Sequence, residues 1–184
     1  MYCEIKGVLF IDTDGEKIYG KYFNPTNEIA TPAGQDLFEK QLKSKLAKFT
    51  LKNKENEVVL IDSVTVVLKM VNNITVYLFS GHDENEIFMA SVIDSLVEAL
   101  ELVYRGELER NKIIEEMELL MLTVDEMFED GNILTFDTSS IAEKVMMREI
   151  GETTPVKATV KESLFGRALQ NAKQAITKSI SARK

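Results

Sequence analysis

The sequence VTVVLKMVNNITVYLFS, residues 64–80, predicts two antiparallel strands joined by a tight turn. Apolar side chains alternate with other residues through Val64–Met70, and this two-residue period is typical of a half-buried strand. Ile74–Ser80 continues in the same β-rich composition. Asn72 and Asn73 separate the two runs, and asparagine adopts the left-handed backbone conformation of tight turns more readily than most residues.

Three further strands and a helix are predicted on the N-terminal side of this hairpin. The strands are Ile5–Ile11, Lys17–Phe23 and Val58–Ile61. Asp and Gly tolerate positive φ, so Asp12-Thr13-Asp14-Gly15 predicts a turn between the first two. The helix is predicted from Pro32 to about Leu51, since apolar residues recur there at helical spacing after a Thr31-Pro32 start signal.

Helices dominate the C-terminal half. We predict one helix over Glu84–Tyr104, a second from after Gly106 to about Phe128, and a short third helix over Ser139–Met147. One hairpin, a helix and three successive strands imply a mainly antiparallel five-stranded sheet, with the first helix on one face and the later helices on the other. The predicted fold class is therefore α+β, and C-terminal helices follow the sheet.

Composition and charge narrow the class of protein. The chain has 184 residues, 45% of them hydrophobic, and a formal charge of −8, which disfavours general nucleic-acid binding. From Lys157 onward the sequence has seven basic residues and one acidic residue, Glu162. The formal charge is therefore about +6 for this tail and about −14 for the rest of the chain. We expect a soluble cytosolic protein, because the sequence shows neither a signal peptide nor an apolar run long enough for a membrane span.

The predicted organisation is a domain over residues 1–150, a linker over 151–158 and a basic amphipathic helix over 159–184. The tail could lie on an anionic membrane, or it could dock on the acidic body or on a partner. Its apolar side is rich in alanine and poor in large anchors, which favours docking.

One motif suggests an enzyme. The stretch VLFIDTDGE, residues 8–16, resembles the nucleophile motif of haloacid-dehalogenase-like phosphatases, with Asp12 as the phosphorylated residue and Asp14 as the general acid. The residues that could complete the set are Ser80, Lys112, Glu129 and Asp130. That family expects Thr or Val in place of Glu16 and has a parallel core, so a hairpin turn is the favoured interpretation.

Metal and cofactor sites are not predicted. His82 is the single histidine and Cys3 the single cysteine, and one of each does not make a typical zinc site. The 12–16 segment lacks the third acidic position of a calcium loop. No Gly-rich phosphate loop occurs in the sequence.

Several segments resemble the zeta-subunit family of coatomer, the coat of COPI vesicles. The first is the apolar strand that runs into Asp14-Gly15-Glu16-Lys17 and a Tyr-rich strand. The others are the helix segment Leu37–Leu42, the paired strands of residues 63–81, and Glu84-Asn85-Glu86. The most specific piece is LLMLTVDEMFEDGNILTFD, residues 119–137. It matches the family's Val-Asp-Glu, a spacer, Asp-Gly-x-Ile-Leu and a later Asp.

The resemblance implies a longin-type domain like the small chains of clathrin adaptors, with no catalytic role. It implies a large helical-solenoid partner, the gamma chain of coatomer, an indirect link to an Arf-type GTPase, and peripheral contact with Golgi membranes. A wide apolar helix face and a Met-rich second helix suit a permanent interface. The interface residues predicted from them are Ile87, Phe88, Met117, Leu120, Met121, Met127 and Phe128. A longin module of another adaptor or tether remains the alternative.

Overall fold

The computed structural model describes residues 3–23, 27–46, 52–82 and 84–152. Met1–Ile150 groups into one compact unit. Its sheet contains the strands β1 (Ile5–Asp12), β2 (Lys17–Tyr22), β3 (Asn56–Ile61), β4 (Val64–Val71) and β5 (Ile74–Gly81). The strand order is β2-β1-β5-β4-β3, and every neighbouring pair is antiparallel. The predicted five-stranded antiparallel sheet is therefore confirmed.

The β4–β5 hairpin has the predicted turn, and the turn has a second role. Val71 pairs with Ile74, and Asn72 takes φ 53°. The Asn72 side-chain amide donates to the carbonyl of Leu108 at 3.0 Å, while the Asn73 amide oxygen accepts from the backbone N–H of Arg110 at 3.0 Å. The two asparagines thus hold the chain segment that leads into the later helices.

Helices cover both faces of the sheet, as predicted. The helix α1 (Pro32–Leu46), preceded by a 3₁₀ turn over Asn27–Ala30, buries Phe38, Leu42 and Leu46 on one face. The helix α2 (Glu86–Val103) crosses the other face, and its buried residues from Met89 to Val103 join the larger core. The sheet is apolar on both sides because consecutive residues of β1, such as Val8 and Leu9, enter the two different cores.

The predicted helix from Gly106 to Phe128 is wrong in one respect, because it is broken in two. The structure has α3 (Arg110–Glu115) and α4 (Met117–Met127), with Glu116 between them at φ −124°, ψ 49°. The buried Tyr104 hydroxyl donates to the carbonyl of Glu116 at 2.8 Å, so the break satisfies a buried hydroxyl group. Phe128 is no longer helical but begins the short strand β6 (Phe128–Glu129), which pairs with β7 (Asn132–Ile133).

The last described helix, α5 (Thr138–Glu152), is longer than the predicted Ser139–Met147. Asp137 begins it, since its carboxylate accepts from the N–H of Ser140 at 3.2 Å. The helix includes Gly151 and Glu152, the first two residues of the predicted linker. The rest of that linker, the basic C-terminal helix, and the predicted end of the first helix at Leu51 lie outside the described residues. Within the part of the chain that the structure describes, the helices are too short or too polar to cross a membrane.

Candidate partner interface

The seven residues predicted for a partner interface fall into two groups. Ile87 and Met121 are exposed, by 81% and 46%, and Phe88 and Met117 are half-buried. Leu120, Met127 and Phe128 are buried in the core of this domain. The prediction that these three face a partner is wrong for the folded chain, because α4 and β6 use them to cover the sheet.

The 119–137 segment contacts both the sheet and the neighbouring helices through hydrogen bonds and ion pairs. Asp130 and Gly131 take φ 47° and 83° in the two-residue turn between β6 and β7, the backbone that such a tight hairpin requires. The carbonyl of Gly131 accepts from the N–H of Ile5 at 2.9 Å. The N–H of Leu134 donates to the carbonyl of Met127 at 2.9 Å. The hairpin is thereby attached to the first residue of β1 and to the end of α4.

Two acidic residues of the same segment form ion pairs. The Asp125 carboxylate lies 2.7 Å from the Lys21 ammonium on β2, and the buried Glu126 lies 3.4 Å from Lys144 on α5. The Val-Asp-Glu part of the segment therefore connects α4 to one sheet edge and to the last helix. Both pairs involve partly exposed groups, so each contributes modestly to stability.

Leu134 and Phe136 were not predicted as interface residues, yet they are exposed by 53% and 42%. The ring of Phe136 stands edge-on to the ring of Phe88, with the centroids 5.6 Å apart. This contact brings the segment after β7 beside the first turn of α2. The sequence carries no periodic signal for them, because Leu134 and Phe136 stand in a short run after Ile133 that belongs to neither a helix nor a long strand.

The Asp12 carboxylate anchors a turn and carries an ion pair. Its Oδ1 accepts from the N–H groups of Asp14 and Glu16 at 2.9 and 2.8 Å, and its Oδ2 accepts from Arg110 Nε at 2.7 Å. Burial acts to raise the pKa of Asp12, but the hydrogen bonds from Glu16, Arg110 and Asp14 outweigh it and hold the pKa below its usual value. The favoured turn interpretation of this motif agrees with these bonds.

The other residues of the phosphatase hypothesis are not assembled around Asp12. Asp12 pairs with Ile74, and Ser80 pairs with Ile5 at the other end of the same strands, about 20 Å away at the usual rise per residue. Ser80 is buried, and its hydroxyl lies 2.9 Å from the sulfur of Met89. Lys112 forms an ion pair with Glu116, and Glu129 and Asp130 lie on the β6–β7 hairpin. In the described residues, no group of three His, Cys, Asp or Glu side chains has the geometry for a metal ion.

Cys3 is expected to resist alkylation in the folded protein. Its thiol is buried, and burial, reinforced by the hydrogen bond to Glu84 and the charge of that residue, raises its pKa to about 12. Because the thiolate is the reactive form, labelling by a thiol reagent at pH 8 should be slow in buffer and fast in urea. Cys3 is the single cysteine of the chain, so absorbance of a chromogenic disulfide reagent reports it alone. Equal rates in both conditions would show that the thiol is accessible.

Comparison with known proteins identifies the family to which this chain belongs. The model of the family described as "Clathrin adaptor complex small chain" matches residues 4–152. Coatomer subunit zeta-2 of Arabidopsis thaliana is 30% identical over 176 residues, covering 96% of this chain and 94% of its own. Coatomer subunit zeta-1 of Homo sapiens is 30% identical over 176 residues, covering 96% and 92%.

The fold agrees with that assignment. A chain in a homology model of the full-length AP-3 complex in a stretched open conformation superposes with a TM-score of 0.60, at 16% identity, over 80% of this chain and 94% of its own. At that identity the likeness shows the fold alone, and the fold is the longin-like adaptor small-chain fold that the sequence predicts. The protein therefore belongs to the clathrin adaptor complex small-chain family, in its coatomer zeta branch, and is a subunit of a membrane-trafficking coat.

Proposed function

We propose that this chain is the small subunit that pairs with the large gamma-type chain of the COPI coat, in Golgi-to-ER and intra-Golgi transport. The observation that carries the proposal is similarity to coatomer zeta subunits along almost the whole length of both chains. The 119–137 segment also supports it, because it carries the Val-Asp-Glu and Asp-Gly-x-Ile-Leu pattern that resembles the zeta family. The chain acts by shape: it stabilises the large subunit and presents a surface to it.

The polar groups of the domain suit a structural role. The buried Glu39 accepts from Lys17 Nζ and from the Tyr22 hydroxyl, both at 2.8 Å, and so joins α1 to β2. Asp12 with Arg110 joins β1 to α3 in the same way. These charged groups are engaged in packing the elements together, which supports a non-enzymatic protein that needs no cofactor.

The cellular setting follows from the partner in this proposal. The chain is cytosolic and reaches Golgi and COPI vesicle membranes peripherally, through the large subunit, whose recruitment depends on an Arf-type GTPase. The basic segment 159–184 then docks on a protein surface of the complex rather than anchoring the chain in a bilayer.

A second candidate is a longin-type subunit of another adaptor or tether. The family model described for clathrin adaptors and the likeness to a chain of an AP-3 complex favour it. The two candidates differ in the identity of the large partner, and the same experiment separates them.

The experiment is affinity capture of the tagged full chain from cytosol of its own cells, with mass spectrometry of the proteins that accompany it. Stoichiometric recovery of a large coatomer gamma-type chain, followed by the rest of that coat, is the expected result. Recovery of the large chain of a clathrin-type adaptor would support the second candidate. A lone chain at low salt would overturn both.

The enzyme alternative has its own test. Wild-type protein and Asp12→Asn are incubated with a generic phosphate ester and magnesium, and hydrolysis is followed by colour. We expect both to stay at the background rate of the buffer. Magnesium-dependent turnover that disappears in Asp12→Asn would contradict the structural role.

A further inference from the structure

Four apolar residues lie on the two segments that meet at the start of α2. We call this the α2 patch: Ile87, Phe88, Leu134 and Phe136. Phe88 and Phe136 are in direct ring contact, Ile87 precedes Phe88 in the first turn of α2, and Leu134 lies two residues before Phe136. Ile87 is 81% exposed, the largest value among the exposed large hydrophobic residues of the described chain.

Both elements that carry the patch are held firmly. The Asn85 side chain accepts from the N–H groups of Ile87 and Phe88 at 2.9 and 3.1 Å and so fixes the first turn of α2. On the other side, Leu134 follows the β6–β7 hairpin and is bonded to Met127 through its N–H. An apolar surface on rigid elements loses little conformational entropy when a partner covers it.

Carboxylates stand next to the patch. Glu86 is exposed in the first turn of α2, and Asp137 is exposed directly after Phe136. Glu84 lies just before α2 and accepts from the N–H of Glu4, whose own carboxylate is paired with Lys6. The surrounding charge is thus negative, in keeping with the acidic body of the chain. An apolar centre with a charged rim is the usual composition of a protein–protein interface.

We infer that the α2 patch is the surface that holds the large chain, and that the large chain covers it with an apolar helix surface flanked by Lys or Arg. This inference rests on the proposed function and names the surface through which it works. The apolar centre supplies the affinity, and the acidic rim selects a basic partner surface and speeds its approach. Ile87 and Phe88 belong to the predicted interface, while Leu134 and Phe136 extend it.

The test uses single substitutions at exposed positions, so the fold is preserved. Ile87→Asp and Leu134→Asp place a charge in the patch, and an acidic residue in the first turn of α2 is compatible with the helix dipole. The matched control is Leu37→Asp, which alters a 60% exposed leucine on α1, at the opposite face of the sheet. Each full-length variant is co-expressed with the large chain, and its affinity for that chain is measured by titration after the pair is separated.

We expect Ile87→Asp and Leu134→Asp to bind the large chain about tenfold or more weakly, and Leu37→Asp to bind like wild type. Glu86→Gln should slow association and reduce its dependence on salt, with a smaller change in dissociation. Thermal melting of the four variants at the temperature of wild type establishes that each is folded.

The outcomes separate this inference from the proposed function. If wild type binds the large chain and the two patch variants bind equally well, the patch is not the interface, while the proposed function stands. If Leu37→Asp is the weakened variant, the opposite face is the interface and the inference is overturned. If wild type itself does not bind the large chain, both the proposed function and the inference about the patch are contradicted.

Discussion

Replacing Gly131 with alanine is expected to destabilise the domain by roughly 3 kcal/mol. Gly131 takes φ 83°, where a side chain strains the backbone. A Cβ atom built there would overlap the carbonyl oxygen of Ile5 and would lie 3.2 Å from Cβ of Phe23. That overlap involves backbone, so relief requires the β6–β7 hairpin to move away from β1 and to lose the hydrogen bond from Ile5 to Gly131. Urea unfolding at pH 7 measures the loss.

Gly106→Ala is the matched control for this result. Gly106 also takes φ 83°, but no atom beyond its two chain neighbours lies within 4 Å of the position of its Cβ. The control therefore carries the backbone strain without the steric overlap, and it should cost about 1 kcal/mol. Equal losses for the two variants would show that the hairpin does not approach β1 as closely as the structure places it.

Replacing Asp12 with alanine is expected to lower the free energy of unfolding by about 2 kcal/mol at pH 7. The change removes the acceptor for two backbone N–H groups of the turn and the partner of Arg110. Arg110 is 40% exposed in its side chain, so water can solvate its charge and limits the loss. Urea unfolding again gives the value. A loss under about 0.5 kcal/mol, typical of a surface site, would contradict the anchoring role.

Asp12→Asn tests the charge of the same group through pH. The folded-state pKa of Asp12 is lowered below the usual 3.8, so its ionised form stabilises the fold. That stabilisation is complete above about pH 4 and is lost as the pH falls through the lower folded pKa. The wild-type advantage over Asp12→Asn should therefore shrink on acidification below pH 4 and be constant from about pH 5 to pH 7. An advantage that does not change with acidification would contradict the assigned ionisation.

The sheet was predictable because strand periodicity and turn residues are local signals. Val64–Met70 alternates, and Asn72 and Gly15 take the positive φ that their residue types favour. The break at Glu116 was not predictable, because the apolar spacing continues through it from Ile113 to Leu120. It depends on a hydrogen bond from Tyr104, the residue directly after α2, whose position relative to Glu116 only tertiary packing defines.

The sequence could predict the interface residues only in part. A helix face that meets the core and one that meets a partner are both apolar, so spacing could not separate the exposed Ile87 from the buried Leu120. Phe128 was predicted at the end of a helix, whereas it enters a strand and packs against Phe23, with ring centroids 5.7 Å apart. Phe136 carries no periodic signal, and its place beside Phe88 emerges only from the β6–β7 turn.

The most direct test of the central claim is the mass of the complex purified by co-expression with the large coatomer gamma-type chain, measured by light scattering after size exclusion. The account predicts a single species with the summed mass of one large chain and one 20.8 kDa chain, which persists on dilution to nanomolar concentrations. Separate peaks, with this chain at 20.8 kDa alone, would contradict it.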